Sequence, residues 1–114
     1  MTAADVIGAA RSLLSDTLTP YRWQDTALVG YLGDGVRLLF SRRPDAAAVS
    51  AVVTSCPTLP TSAGSETIAL RDVFTPALSH YVASRAIAED NEHAANQQAA
   101  QRYMAEFERI IATA

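Results

Sequence analysis

The sequence predicts a mainly α-helical protein, a small bundle of about four helices with a long central loop or short β-hairpin. Three observations predict it. Alanine, the best helix former, supplies 22 of the 114 residues, and its small side chain lets helices approach closely. Apolar residues recur at helical spacing in four stretches. Turn-forming residues concentrate between them, most densely over 55–65. A chain of this length buries roughly two thirds of its unfolded surface, enough for one core. Residues 1–114 are therefore expected to form a single helical domain, with a loop or hairpin insertion at about 45–70.

The first helix is expected from about Ala3 to Ser15. Thr2 and Asp5 make a near capping box, and Val6, Ile7, Ala10, Leu13 and Leu14 follow at helical spacing. Residues 17–20 break it. Asp25 opens the second helix, whose stripe is Leu28, Tyr31, Leu32, Gly35, Val36 and Leu39, and Pro44 ends it near Arg43. Gly33 and Gly35 each cost about 1 kcal/mol relative to alanine, which points to close helix packing or a slight kink. The fragment Gly33-Asp34-Gly35 neither follows a strand nor precedes a helix, so it is not a phosphate loop.

From Asp45 to Ser65 helical periodicity fails. Ser50–Thr54 and Glu66–Leu70 carry enough β-branched residues to pair as a hairpin, although 46–51 has the composition to prolong helix as well. The loop Ser55–Ser65 is long for a domain of this size, the kind of segment that serves contacts and orders on binding. Thr75 followed by Pro76 reads as an N-cap with proline at the first helical position of a third helix. Its face is Leu78, Tyr81, Val82, Arg85 and Ala86. A polar stretch, Glu89–His93, leads to a fourth helix with Ala100, Tyr103, Met104, Phe107, Ile110 and Ile111 on its apolar side. The two helices meet at an open loop or at a kink near Asn91 or Asn96. No internal repeat is visible.

All nine basic residues are arginine, against 12 acidic ones, for a net charge of -3. That balance gives no general attraction to phosphate backbones or anionic membranes. A single cysteine, Cys56, forms no internal disulfide and suits a reducing compartment. No apolar run reaches the roughly 18 residues of a membrane span, and the opening MTAADVIGAA lacks a basic start followed by an apolar stretch. A soluble product made in the cytoplasm, with no membrane partner, is expected.

Candidate catalytic groups are sparse. His80 and His93 lack the three- or four-residue spacing to a second His or Cys that zinc sites use. Cys56 sits in a loop before a proline, as a bystander thiol would. Glu89, Asp90 and Glu92 read as a solvated acidic face. No enzymatic activity, metal or cofactor is expected. A helix-turn-helix reader would show Arg, Asn and Gln on its recognition helix; Asn96, Gln97, Gln98, Gln101, Arg102 and Arg109 fit, but Glu106 and Glu108 cancel the charge. A small helical DNA- or protein-binding regulator is thus the alternative reading.

The string YRWQDTALVGYLGDGVRLLFSRRPDA, residues 21–46, resembles a segment of the head-to-tail connector (adaptor) proteins of tailed bacteriophages. In that family an Arg-Trp pair and an acidic helix start lead into a Tyr-Leu, Asp-Gly, Arg and Arg-Pro-Asp series. Residues 73–90, VFTPALSHYVASRAIAED, are similar to the family's third helix, and Tyr103 and Phe107 fit its closing helix. Only 47–65 finds no match. Gln24 replaces a small capping residue, and Gly33 replaces the usual Asn.

The resemblance implies a structural virion protein. Its subunits form a ring, typically of twelve, beneath the portal protein in the neck between head and tail. The ring extends the DNA channel and joins the capsid to the next connector or tail component. At -3 per chain, such a ring carries about -36 formal charges, which lets DNA pass without the counterion-release binding of a basic lumen.

Within that frame Trp23 is expected to bury its indole between the first two helices while its N–H finds an acceptor. Tyr31, Tyr81, Tyr103 and Phe107 are expected as structural aromatics. Arg37, Arg42 and Arg43 lie off the core stripe and are candidate assembly contacts, because guanidinium groups bind carboxylates bidentately across boundaries. Glu89, Asp90 and Glu92 are the candidate acceptors on a neighbouring subunit or the portal.

Overall fold

The computed structural model describes residues 1–19, 21–47, 56–89 and 95–114. Its elements are α1 (Ala3–Leu14), α2 (Asp25–Arg42), α3 (Thr75–Ala88) and α4 (Ala95–Thr113), with one-turn 3₁₀ helices at Pro44–Ala47 and Asp72–Phe74. The protein is a small helical bundle.

Thr2 and Asp5 form the capping box in full. The Asp5 N–H donates to Thr2 Oγ1 (3.1 Å), and the Thr2 N–H donates to the Asp5 carboxylate (3.2 Å). Ser15 closes α1 in the left-handed region at φ 56°, where its N–H reaches back to the Arg11 and Ser12 carbonyls. Gln24 precedes α2 without a side-chain cap bond, glutamine not being one of the short side chains that cap helix starts. The Arg43 N–H bonds the Leu39 carbonyl, and the chain turns at Pro44.

The hairpin expectation needs correction. Ser50–Thr54 lies outside the described residues. Glu66–Leu70 forms no strand; it runs beside the N-terminal segment instead, through Ala3 N–H to the Glu66 carbonyl (3.1 Å), Ala4 N–H to Gly64 (2.9 Å) and Ile68 N–H to Met1 (2.9 Å). Ile68 and Leu70 point inward and are buried, so this segment closes one end of the core. Residues 60–65 are tied down as well: the Glu66 carboxylate accepts from Thr61 Oγ1 (2.8 Å), Ser62 Oγ (2.8 Å) and the Thr61 N–H. These hydroxyl donors hold the Glu66 carboxyl below its ordinary pKa.

Helix α3 is the centre of the bundle. Sequence periodicity gives it one apolar face, yet Ala77, Leu78, Ser79, Tyr81, Val82, Ala83, Ser84 and Ala86 are all buried, because α1, α2 and α4 each pack on it. Alanine and serine on its remaining sides make that close approach possible. Contacts fix the directions. Met1, just before α1, meets Thr75 and Val6 of α1 meets Ser79, while Gly35 of α2 and Phe107 of α4 both meet Tyr81. Tyr31 of α2 neighbours Arg85, and Ala100 of α4 meets Ser84. Thus α1 runs parallel to α3, and α2 and α4 run antiparallel to it.

Gly35 is required by that packing. A Cβ placed there would lie 2.7 Å from Tyr81 Cδ1 and 3.3 Å from Leu78 Cδ2. Gly33 is less constrained, with only Leu59 Cδ1 at 3.7 Å. Gly35→Ala is expected to destabilise by about 1–2 kcal/mol, overpacking outweighing the gain in helix propensity, whereas Gly33→Ala should be neutral or stabilising. Urea midpoints of the two variants would check the contrast.

Candidate assembly surface

Helix ends leave carbonyls without intrahelical donors, and three of the four helices have such a carbonyl filled from another element. The Trp23 indole N–H donates to the Ala86 carbonyl at the end of α3 (3.0 Å). The Tyr103 hydroxyl of α4 donates to the Leu13 carbonyl at the end of α1 (3.0 Å). Arg43, just after α2, donates from Nη1 to the Ile111 carbonyl and from Nη2 to Ala114 (2.7 Å) at the end of α4. Two of these donors, Trp23 and Arg43, lie in the 21–46 string.

Two expectations change here. Trp23 is half-buried and reaches the last turn of α3, where sequence reasoning places it between α1 and α2. Its linker crosses the end of the bundle, where α3 offers a free acceptor. Trp23→Ala is accordingly expected to cost about 2 kcal/mol, below the roughly 3–5 of a fully buried aromatic, and Trp23→Phe about 1 from the lost hydrogen bond. Denaturant unfolding would measure both.

Arg43 is likewise not spare. Beyond its bonds to α4, Nε and Nη2 clamp the Asp45 carboxylate at 2.9 and 2.8 Å. That hydrogen-bonded pair raises the Arg43 pKa and lowers that of Asp45. Because the Asp45 pKa is depressed on folding, the clamp contributes fully above the ordinary carboxylate range and is lost as pH falls below that range through the lowered Asp45 pKa.

Arg37 and Arg42 do face outward. Arg37 is 66% exposed, with Asp34 at 3.8 Å. Arg42 pairs with Glu108 of α4 at 3.5 Å, both half-exposed. Exposed pairs of this kind contribute only about 0–1 kcal/mol, so they exchange readily for a partner's carboxylate. Glu89 is exposed at the end of α3; Asp90 and Glu92 lie outside the described residues. Since α2 and α3 are antiparallel, Arg42 and Glu89 sit at opposite ends of the bundle. Among the described residues, Arg42 and Glu89 are thus not brought together within one chain.

The structural aromatics fall where packing needs them. Phe107 and Tyr81 are buried with ring centroids 5.3 Å apart. Tyr31 and Tyr81 flank the Arg85 guanidinium, and burial raises the Tyr31 pKa.

The largest buried polar feature went unseen in the sequence. Arg11, 7% exposed, donates to Asp16 (2.7 Å), Asp25 (2.5 Å) and the Trp23 carbonyl (3.0 Å), and its guanidinium lies 3.9 Å from the Tyr21 ring centroid. Asp16, equally buried, also accepts from the Arg22 and Trp23 N–H groups (2.8 and 3.2 Å). Asp16, Arg22 and Trp23 of the α1–α2 linker are gathered on this ion cluster. The available signal was Arg11 falling four residues after Ile7, on the core side of α1.

Among the described residues no group of His, Cys, Asp and Glu is arranged to hold a metal ion, and no helix is long and apolar enough to cross a membrane. His80 bonds its own helix, with Nδ1 2.8 Å from the Pro76 carbonyl, and Cys56 is exposed. In this small helical bundle the Arg11 cluster and Arg43 hold helices and linkers in place, while Arg37, Arg42 and Glu89 face outward. No family model, curated protein or solved structure matches the chain.

Proposed function

We propose that this chain is a subunit of a head-to-tail adaptor ring in a tailed bacteriophage, seated in the virion neck beneath the portal protein. The ring carries the DNA channel on to the next connector or tail component. The subunit acts through protein contacts, without catalysis or cofactor, and lets DNA pass without sequence-specific binding.

The observation that supports this is the position of the connector-like residues. Trp23, Asp25 and Arg43 of the 21–46 string each tie one helix to another and Asp45 clamps Arg43, so the residues that carry the resemblance are scaffold residues. The outward arginines Arg37 and Arg42 then remain for neighbours.

Light scattering of the purified chain mixed with portal protein of the same phage tests the reading. A high-order complex with about a dozen copies is expected; two separate peaks would reject it. The informative variant is Arg37→Glu with Arg42→Glu, leaving Arg43 intact because its reversal would loosen α4. The double variant should keep its circular dichroism and lose assembly, and charge reversal at Glu89 should partly restore it.

A further inference from the structure

Residues 59–70 form a strap that runs from α2 across the N-terminus of α1 and into the core. Leu59 lies over Gly33 of α2, its Cδ1 3.7 Å from where a Cβ would stand. Pro60, Ile68 and Leu70 are buried. Between these anchors the strap completes α1. A helix opens with four N–H groups that have no intrahelical acceptor. The capping box takes those of Thr2 and Asp5, and strap carbonyls take the other two, Glu66 from Ala3 (3.1 Å) and Gly64 from Ala4 (2.9 Å).

One side chain fastens this crossing. The Glu66 carboxylate gathers Thr61 Oγ1 and Ser62 Oγ, each at 2.8 Å, and the Thr61 N–H at 3.2 Å. Residues 61–66 are thereby drawn into a closed loop that presents the Gly64 and Glu66 carbonyls to α1. We infer that Glu66 is an acid-sensitive latch: ionised, it holds the strap on the first turn of α1, and protonated, it lets 61–66 open and leaves the Ala3 and Ala4 N–H groups to water. The latch works within a single chain and is independent of the adaptor reading.

An ionised carboxylate is acceptor-only and suits three donors, whereas the protonated acid gives up one oxygen to its own proton. The Thr61 and Ser62 donors accordingly hold Glu66 below its ordinary pKa. With the folded value depressed, the latch contributes fully above the ordinary carboxylate range and is lost as pH falls below that range through the lowered Glu66 value. Charged groups on the elements around the strap are engaged elsewhere. Asp5 caps α1, and the N-terminal ammonium sits on Asp72 at 2.7 Å. Asp34 lies between Arg85 (3.3 Å) and Arg37 (3.8 Å), and Asp45 between Arg43 (2.8 Å) and Arg71 (3.4 Å). Hydrogen bonds rather than a neighbouring charge lower the Glu66 value. Opening is local, because Ile68 and Leu70 stay in the core while the first turn of α1 loses two acceptors.

Amide hydrogen exchange followed residue by residue by NMR tests the latch, expressed as protection relative to the unstructured rate at each pH. Asp5→Asn and Asp72→Asn are placed in every chain, so that these two carboxylates cannot carry the response. Protection at Ala3 and Ala4 is expected to fall several-fold between about pH 6 and about pH 3, across the carboxylate range, while that at Leu78 and Val82 of α3 holds. Adding Glu66→Gln should abolish the pH dependence at Ala3 and Ala4. Thr61→Val with Ser62→Ala removes the hydroxyl donors and should move the transition up toward the ordinary carboxylate range. A fall that survives Glu66→Gln, a fall shared equally by Leu78 and Val82, or protection that ignores pH would each overturn the latch.

Discussion

Arg11→Met is expected to destabilise the fold by about 3–5 kcal/mol, a large share of the roughly 5–15 available to a small domain. The substitution keeps much of the volume and removes the charge. Asp16 would then be left buried without its cation, and an unpaired charge in that setting is among the costliest changes known. Asp25, more exposed, rehydrates at little cost. The damage should concentrate in the linker. Arg22 and Trp23 N–H groups are held by the same carboxylate, so any turn of Asp16 toward water would weaken both. Denaturant unfolding followed by circular dichroism measures the loss, and a shift under about 1 kcal/mol would mean that the cluster is not a structural anchor. Replacing Arg11 and Asp16 together by apolar residues should recover part of the stability, as matched removal of buried pairs does.

Phe107→Ala should cost about 3–5 kcal/mol, the range for emptying a fully buried aromatic site. Phe107 is the side chain through which α4 grips the centre of the bundle. It meets Tyr81, and the same Tyr81 ring fills the space left open at Gly35, so α2, α3 and α4 converge on one contact. The variants Phe107→Ala and Gly35→Ala are therefore expected to be non-additive. A cavity beside Tyr81 gives the ring room to retreat from a new methyl group, and the double variant should lose less than the sum of its parts. Thermal unfolding of the four proteins in the cycle would show it; strict additivity would contradict a shared ring.

The contrast between these two residues shows which physics a sequence exposes. Phe107 was legible because apolar spacing on an amphipathic helix repeats and announces its face. The capping box at Thr2 and Asp5 and the stop at Pro44 were legible for the same reason, each being local. Arg11 was hidden because its partners Asp16 and Asp25 lie across a linker whose path periodicity does not encode. Arg43 was misjudged similarly: its distance from the α2 stripe suggested a spare side chain, while the carbonyls it fills come from a helix that begins some fifty residues later. The segment Glu66–Leu70 had the composition of a strand and found its hydrogen-bond partners at residues 1–4, a choice set by tertiary context. Exposure at the candidate assembly residues Arg37 and Arg42, by contrast, followed from the face they occupy.

Electron cryomicroscopy of the purified chain mixed with its phage's portal protein tests the adaptor reading most directly. The expected image is a closed ring of this helical bundle under the portal, about twelve copies around the channel. Portal particles bare of added density, beside free single chains, would contradict it.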